Sequence, residues 1–225
     1  MVALFVVLTI VLFLTIDLVY QSVQRRKSEA AEPALAYQKI PAINRISVPE
    51  GLFFHPGHTW AAVTESGSTK VGIDDFTRKL FGKIDAITFK KTSGEVKQGE
   101  PLFVVKQGKR TFEMVAPVDG IIEATNTAIA QDPSMLRIDT YQNGWLATLK
   151  PTNLKKNLEK LNIAESAKEW AREEVARLRD FFAGAAFENR LVGQTLQDGG
   201  PPVEGVLEFM SDEAIEKFEK EFLQR

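Results

Sequence analysis

The stretch of this chain richest in chemical possibility runs from Gly99 to Gly120, Gly-Glu-Pro-Leu-Phe-Val-Val-Lys-Gln-Gly-Lys-Arg-Thr-Phe-Glu-Met-Val-Ala-Pro-Val-Asp-Gly. Leu102 and Val104 alternate with Phe103 and Val105, and Phe112, Met114 and Ala116 share a face on the return, so the spacing predicts a half-buried β-hairpin. Gln107-Gly108-Lys109-Arg110 forms its tip. Gly108 at the first central position suits a type II′ turn, because a positive φ there costs glycine nothing and matches the strand twist. Lys109 then stands at the crest, and any chemistry in the chain is expected at this turn. On spacing alone its amine also reads as a solvated surface charge.

The remaining candidates are weaker. His55 and His58 form a His-x-x-His within Phe-His-Pro-Gly-His-Thr-Trp. Pro56 and Gly57 break any helical face between them and no third ligand stands at metal-site spacing, so no metal site is assigned. Asp74 and Asp75 read as the start of a short helix, where carboxylates complement the N-terminal end of the dipole. Ser-His-Asp logic, a phosphate loop and a dinucleotide fingerprint are all missing, and no catalytic residue is assigned. The 225 residues include no cysteine. Disulfides, thiolate metal sites and cysteine nucleophiles are thereby removed together, and any thiol chemistry has to come from a bound group.

Several elements must position the turn. A hydrophobic content of 44% is enough for a core, and a formal net charge of −2 gives no basic field, so nucleic acid is not an expected partner. Residues 2–20 are almost wholly apolar, interrupted by Thr9, Thr15 and Asp17, which is the length of one membrane-spanning helix. No basic residue precedes that run while Arg25, Arg26 and Lys27 follow it, so the positive-inside rule places the N-terminus outside and the main domain on the cytoplasmic side. The rival is a cleaved signal peptide with Ala34-Leu35-Ala36 as its small-residue site, which lacks the basic n-region. The chain is thus divided into an anchor over 1–23, a proline-marked linker over 24–51, a β domain over 52–150 and a helical C-terminal extension over 151–225.

Within the β domain, strand-like runs fall at Trp60 to Val63, Gly72-Ile73, Ile84 to Phe89, the hairpin, Gly120 to Glu123 and Trp145 to Leu149, interrupted by a helix over Asp74 to Phe81. Beyond Pro151, Asn153 is placed to cap a helix from Leu154 to Leu161. A longer amphipathic stretch from Ala164 to Phe182 sets Ala167, Trp170, Ala171, Val175, Leu178 and Phe182 on one stripe, expected to pack on the β domain. Gln197 to Pro202 is a break, Val203 to Met210 is placed as extended, and Ser211 starts a last helix with Ile215, Phe218 and Phe222 on one face. The fold class is mainly β with α extensions.

The middle of the chain, from about His58 to Lys150, resembles the H protein of the glycine cleavage system and its lipoyl-carrier relatives. His58-Thr59-Trp60 is similar to the family's opening His-x-Trp, and Val71-Gly72-Ile73 followed by Leu80-Phe81-Gly82 is similar to its Val-Gly-Ile-Thr helix and Leu-Gly turn. Gly94, Gly99-Glu100-Pro101-Leu102, Ala116-Pro117-Val118-Asp119-Gly120, Asn126, Asp132-Pro133, Asp139, Tyr141 and Gly144-Trp145-Leu146 follow in the family's order. The resemblance implies a lipoyl-like β-sandwich and lipoate in amide linkage on Lys109. It implies a carrier without its own catalytic site, whose partners are glycine cleavage enzymes or others of aminomethyl transfer. The tip departs from the family's Glu-Ser-Val-Lys-Ala in reading Lys106-Gln107-Gly108-Lys109-Arg110, three cations together. Two readings stand: a membrane-tethered lipoyl carrier, and a non-lipoylated adaptor of a membrane-associated complex that keeps the fold. A third, an efflux-type adaptor, conflicts with the Arg25-Arg26-Lys27 signal and with the lack of a long helical insertion between Val104 and Val115.

Overall fold

Alternation along the strands sorts the apolar side chains onto two faces, and the topology follows from that sorting. The computed structural model describes residues 43, 45–185 and 202–224. They belong to a unit that begins at Pro41. The expected anchor over residues 2–20 lies outside the described residues. Among those described, no helix is long and apolar enough to cross a membrane.

Along the chain run β1 (Phe53–His55), β2 (Thr59–Val63), β3 (Thr69–Ile73), α1 (Asp75–Phe81), β4 (Ala86–Phe89), β5 (Gly94–Val96), β6 (Pro101–Gln107), β7 (Arg110–Val115) and β8 (Gly120–Thr125). Then come α2 (Thr127–Gln131), α3 (Met135–Ile138), β9 (Ala147–Pro151), α4 (Leu154–Leu158), β10 (Asn162–Ile163), α5 (Ala164–Gly184), a 3₁₀ turn (Val206–Phe209), α6 (Asp212–Phe218) and a closing π turn (Glu219–Leu223). The larger sheet has the order β10-β1-β2-β3-β9-β8-β5 and the smaller β4-β6-β7. Every pairing is antiparallel.

Cross-strand partners explain the core. Phe53 pairs with Ala61, Ala61 with Val71 and Val71 with Ala147, so one row of the larger sheet points at the smaller one. From there Ile87, Phe103, Val105, Phe112 and Met114 meet it in a single apolar cluster. Phe54 and Trp60, one residue out of phase, point the other way and form a second cluster with Ala167. Gly72, opposite Trp60, must be glycine: a Cβ there would lie 2.9 Å from the indole nitrogen and 2.9 Å from the Gly144 carbonyl oxygen.

Helix α5 covers this outer face and then continues into the main core. Ala167 and Trp170 pack on the Phe54 side, whereas Leu178 and Phe182 belong to the main cluster. The expected intramolecular packing of the apolar stripe is what the structure has. The last segment enters the same core through Val206, Leu207, Met210, Ile215, Phe218, Phe222 and Leu223. Ser211 caps α6 as expected, its hydroxyl accepting from the Ala214 amide at 3.3 Å.

Three local expectations are corrected. Val203 to Met210 is not extended but makes the 3₁₀ turn, entered through Gly205 at φ +74°; burial of Val206, Leu207 and Met210 along a short path favours a tight turn over an alternating strand. Asn153 makes no side-chain cap bond, its backbone lying at φ −146° and ψ 44°, and α4 ends at Leu158. The short strands β1, β5 and β10 and helices α2 and α3 went unnoticed in the sequence, since runs of two to five residues carry too little periodicity.

Candidate functional site

The hairpin tip is built as the spacing predicts. Gln107 pairs with Arg110 across a loop of Gly108 and Lys109. Gly108 has φ +58° and Lys109 is not among the residues with positive φ, which is the type II′ pattern. A Cβ on Gly108 would meet nothing within 4 Å, so the dihedral and not space calls for glycine. The strand behind the turn is fixed by burial of Phe103, Val105, Phe112 and Met114. The Gln107 amide also donates to the Phe81 carbonyl at the end of α1, at 2.5 Å. Lys109 is exposed. Its ammonium makes no hydrogen bond or ion pair with the described residues.

The neighbours of Lys109 are differently engaged. Arg110 turns its guanidinium away from the tip onto the C-terminal segment: Nη1 donates to the Leu207 carbonyl at 2.7 Å, Nη2 to the Met210 carbonyl at 2.5 Å, and Nε and Nη2 to Asp212 Oδ1 at 3.0 and 2.9 Å. On the other side, the Gly108 amide donates to Asp85 Oδ2 at 2.6 Å. That bond comes first among the causes that hold the Asp85 carboxyl below the usual range, with Lys83 next. A cleft of about 730 Å³ opens between these groups, lined by Lys83, Asp85, Gln107, Gly108, Lys109, Arg110, Glu208 and Asp212. Its rim therefore carries three carboxylates beside three cations. The sequence of the tip supplies only Lys109 and Arg110 of these, because Lys83, Asp85, Glu208 and Asp212 come from other parts of the chain. No local signal marks them.

The two histidines go separate ways. His58 closes the three-residue loop between β1 and β2 in a left-handed conformation, φ +61°, that a non-glycine residue rarely takes. Its fully buried ring stacks on Phe76 at 4.2 Å, and Nδ1 donates to Asp74 Oδ2 at 2.8 Å. On the far side, Nε2 faces the Glu174 carboxylate of α5 at 3.6 Å, and Glu174 also pairs with Arg177. Burial opposes the charge on His58, but Asp74 and Glu174 together outweigh it and raise its pKa. Asp74, expected as the first residue of the helix, is instead the N-cap of α1, accepting from the Thr77 amide at 2.9 Å. Asp75 pairs with Arg78 and Lys79 within the same helix. His55 Nδ1 instead accepts from the Gly57 amide at 2.9 Å. Burial, then the charge of His58, pushes its pKa down to about 4. The pair thus organises one loop and one helix contact, about the edge of the domain that faces α5.

Residues 52–174 match the model of the glycine cleavage H-protein family. A probable glycine cleavage system H protein of Thermococcus kodakarensis is 35% identical over 130 residues, which cover 58% of this chain and 96% of that protein. Glycine cleavage system H protein 2 of Aquifex aeolicus is 29% identical over 141 residues, 62% of this chain and 88% of that one. Among solved structures, a glycine cleavage system H protein from Mycobacterium marinum aligns with a TM-score of 0.47 and 26% identity, over 56% of this chain and 98% of that chain. With the match running from Leu52 through the first half of α5, the chain belongs to the glycine cleavage H-protein family.

Proposed function

We propose that this protein is a lipoyl carrier that holds lipoate in amide linkage on Lys109 and presents it to glycine cleavage enzymes or to others of aminomethyl transfer. The observation that carries this reading is an exposed lysine, without a hydrogen bond or ion pair among the described residues, at the crest of a two-residue turn in a chain of the H-protein family. The residues fit the group. A primary amine open to solvent can be acylated in place, and the strands below keep it at a constant position on the surface. When bound, lipoate supplies the disulfide–dithiol chemistry that a chain without cysteine lacks. The protein's own part is to display the arm; the carrier has no catalytic site of its own.

The loading step is an acyl transfer. The Lys109 nitrogen attacks the carbonyl of an acyl-adenylate, the new C–N bond forms as the C–O bond to AMP breaks, and the nitrogen releases a proton to solvent. No electron changes hands. Intact mass of the full chain from lipoate-replete cells is expected to rise by one lipoyl unit, and Lys109→Ala to abolish the rise. An unmodified wild-type protein overturns the carrier reading and leaves the adaptor.

The carrier is proposed to be tethered at the membrane through residues 2–20, its main domain on the cytoplasmic side. Support comes from the apolar run and from Arg25, Arg26 and Lys27 behind it. The protein is expected in the membrane fraction, released by deletion of 2–20, and digested by protease only after the cytoplasmic face is opened. Digestion from the outer face would reverse the orientation.

A further inference from the structure

We infer that Asp85 is the positioning residue of the modification turn: its carboxylate, reaching from the segment before β4, fixes the Gly108 amide and so sets the direction in which Lys109 leaves the surface. This inference rests on the reading of Lys109 as the acylated residue. Asp85 grips the tip twice. Its backbone N–H donates to the Lys106 carbonyl at 2.9 Å, and its side chain accepts from Gly108 at 2.6 Å. The second bond matters most, because Gly108 holds its positive φ without steric help: nothing lies within 4 Å of where a Cβ would be. A glycine in open space is free to leave that conformation unless something holds its amide.

The other flank of the turn is fixed independently, by Arg110 on Leu207, Met210 and Asp212. Lys109 is left between two anchored neighbours, its own side chain exposed and making no hydrogen bond or ion pair among the described residues. Such an arrangement lowers the ordering cost when a modifying enzyme must accept one lysine in one orientation, a gain that appears in the apparent affinity for the protein substrate. Asp85 also borders the cleft beside Lys109, but what holds Gly108 is a side-chain oxygen that accepts from its amide, and not the charge.

The test is the rate at which a lipoate ligase, given lipoate and ATP, acylates the detergent-solubilised full chain, followed by intact mass. Asp85→Ala is expected to lower kcat/KM about tenfold, through KM for the protein substrate, as removal of one hydrogen bond implies. Asp85→Asn keeps an acceptor and is expected to remain within about threefold of wild type. The Gly108 amide resonance gives a second readout: it should shift as Asp85 is titrated with acid in the wild type, and lose that shift in Asp85→Ala. Equal rates for wild type and Asp85→Ala, or an Asp85→Asn as slow as Asp85→Ala, overturn the inference while leaving the carrier reading intact. A wild type that the ligase does not acylate overturns both, and acylation at Lys109 with the expected order of variants supports both.

Discussion

Arg110 and Asp212 meet across 102 positions of sequence, two donors of the guanidinium converging on one carboxylate oxygen at 3.0 and 2.9 Å. The same guanidinium holds the Leu207 and Met210 carbonyls. A cation that sits beside Lys109 in the sequence therefore ties the C-terminal segment to the base of the turn. It does not add a free charge at the crest.

The carbonyl bonds and the carboxylate bonds should weigh differently. Arg110→Ala takes a donor from two backbone carbonyls, of which Leu207 keeps only the long bond from the Met210 amide at 3.4 Å, and is expected to cost about 2 kcal/mol, with faster hydrogen exchange over residues 206–223. Asp212 is largely exposed at 92%, so Asp212→Asn should change stability little. Denaturant unfolding of the two variants checks the order, and equal losses would mean that the ion pair dominates.

His58 and His55 give stability opposite pH dependences. The raised pKa of His58 means that its contribution is fully present below about pH 6.5 and is lost as pH rises through the folded value. His55, lowered to about 4, costs stability as pH falls from about 6.5 toward 4, by ~3 kcal/mol at most. Glu174 is opposed by its burial yet lowered by His58 and Arg177, so its contribution is lost only as pH falls through its folded value. Stability should thus peak near neutrality. Melting curves across pH should show His58→Asn flattening the alkaline limb and His55→Gln the acid limb; Asn is chosen at 58 because it tolerates the left-handed backbone.

Gly82 and Gly205 touch backbone to backbone. A Cβ on Gly82 would stand 2.6 Å from the Gly205 Cα, and Gly82 has φ +61°. Gly82→Ala meets both a clash and an unfavourable dihedral, for an expected loss of about 2 kcal/mol or more. A thermal melt is sufficient to check it, and an unchanged midpoint would show that the C-terminal segment can shift freely.

Phe218 is fully buried between Phe181 and Phe222. Phe218→Ala should leave a cavity and cost about 3–5 kcal/mol. If the extension were an appendage, the loss would show as local fraying; here the whole β domain should unfold at lower denaturant in one transition.

Much of the site was legible because it is local. The period-two pattern from Leu102 to Met114, the glycine at 108 and the carboxylate before α1 all act within a few residues, where sterics and hydrogen-bond reach leave few alternatives. The stripe on α5 likewise announced a buried face, and its apolar phase gave Ala167, Ala171, Leu178 and Phe182, whereas Glu174 turns inward beside them with no apolar signal. The 3₁₀ turn at Val206–Phe209 was misread for the converse reason: its shape answers to Gly82, Lys79 and the core beneath, none of them close in sequence.

The sequence by itself determined the hairpin, the position of Lys109 at its crest and the family to which these residues belong, since each rests on short-range spacing and ordered motifs. Only the tertiary structure decided what surrounds that lysine. Asp85 approaches from 23 positions before Gly108 and Asp212 from 102 positions beyond Arg110, and Glu174 reaches His58 from another helix. Charge acts through space, and packing of one core brings distant groups to the tip; neighbours along the chain show Lys106, Lys109 and Arg110 together, where the folded protein sets Lys83, Lys109 and Arg110 beside three carboxylates.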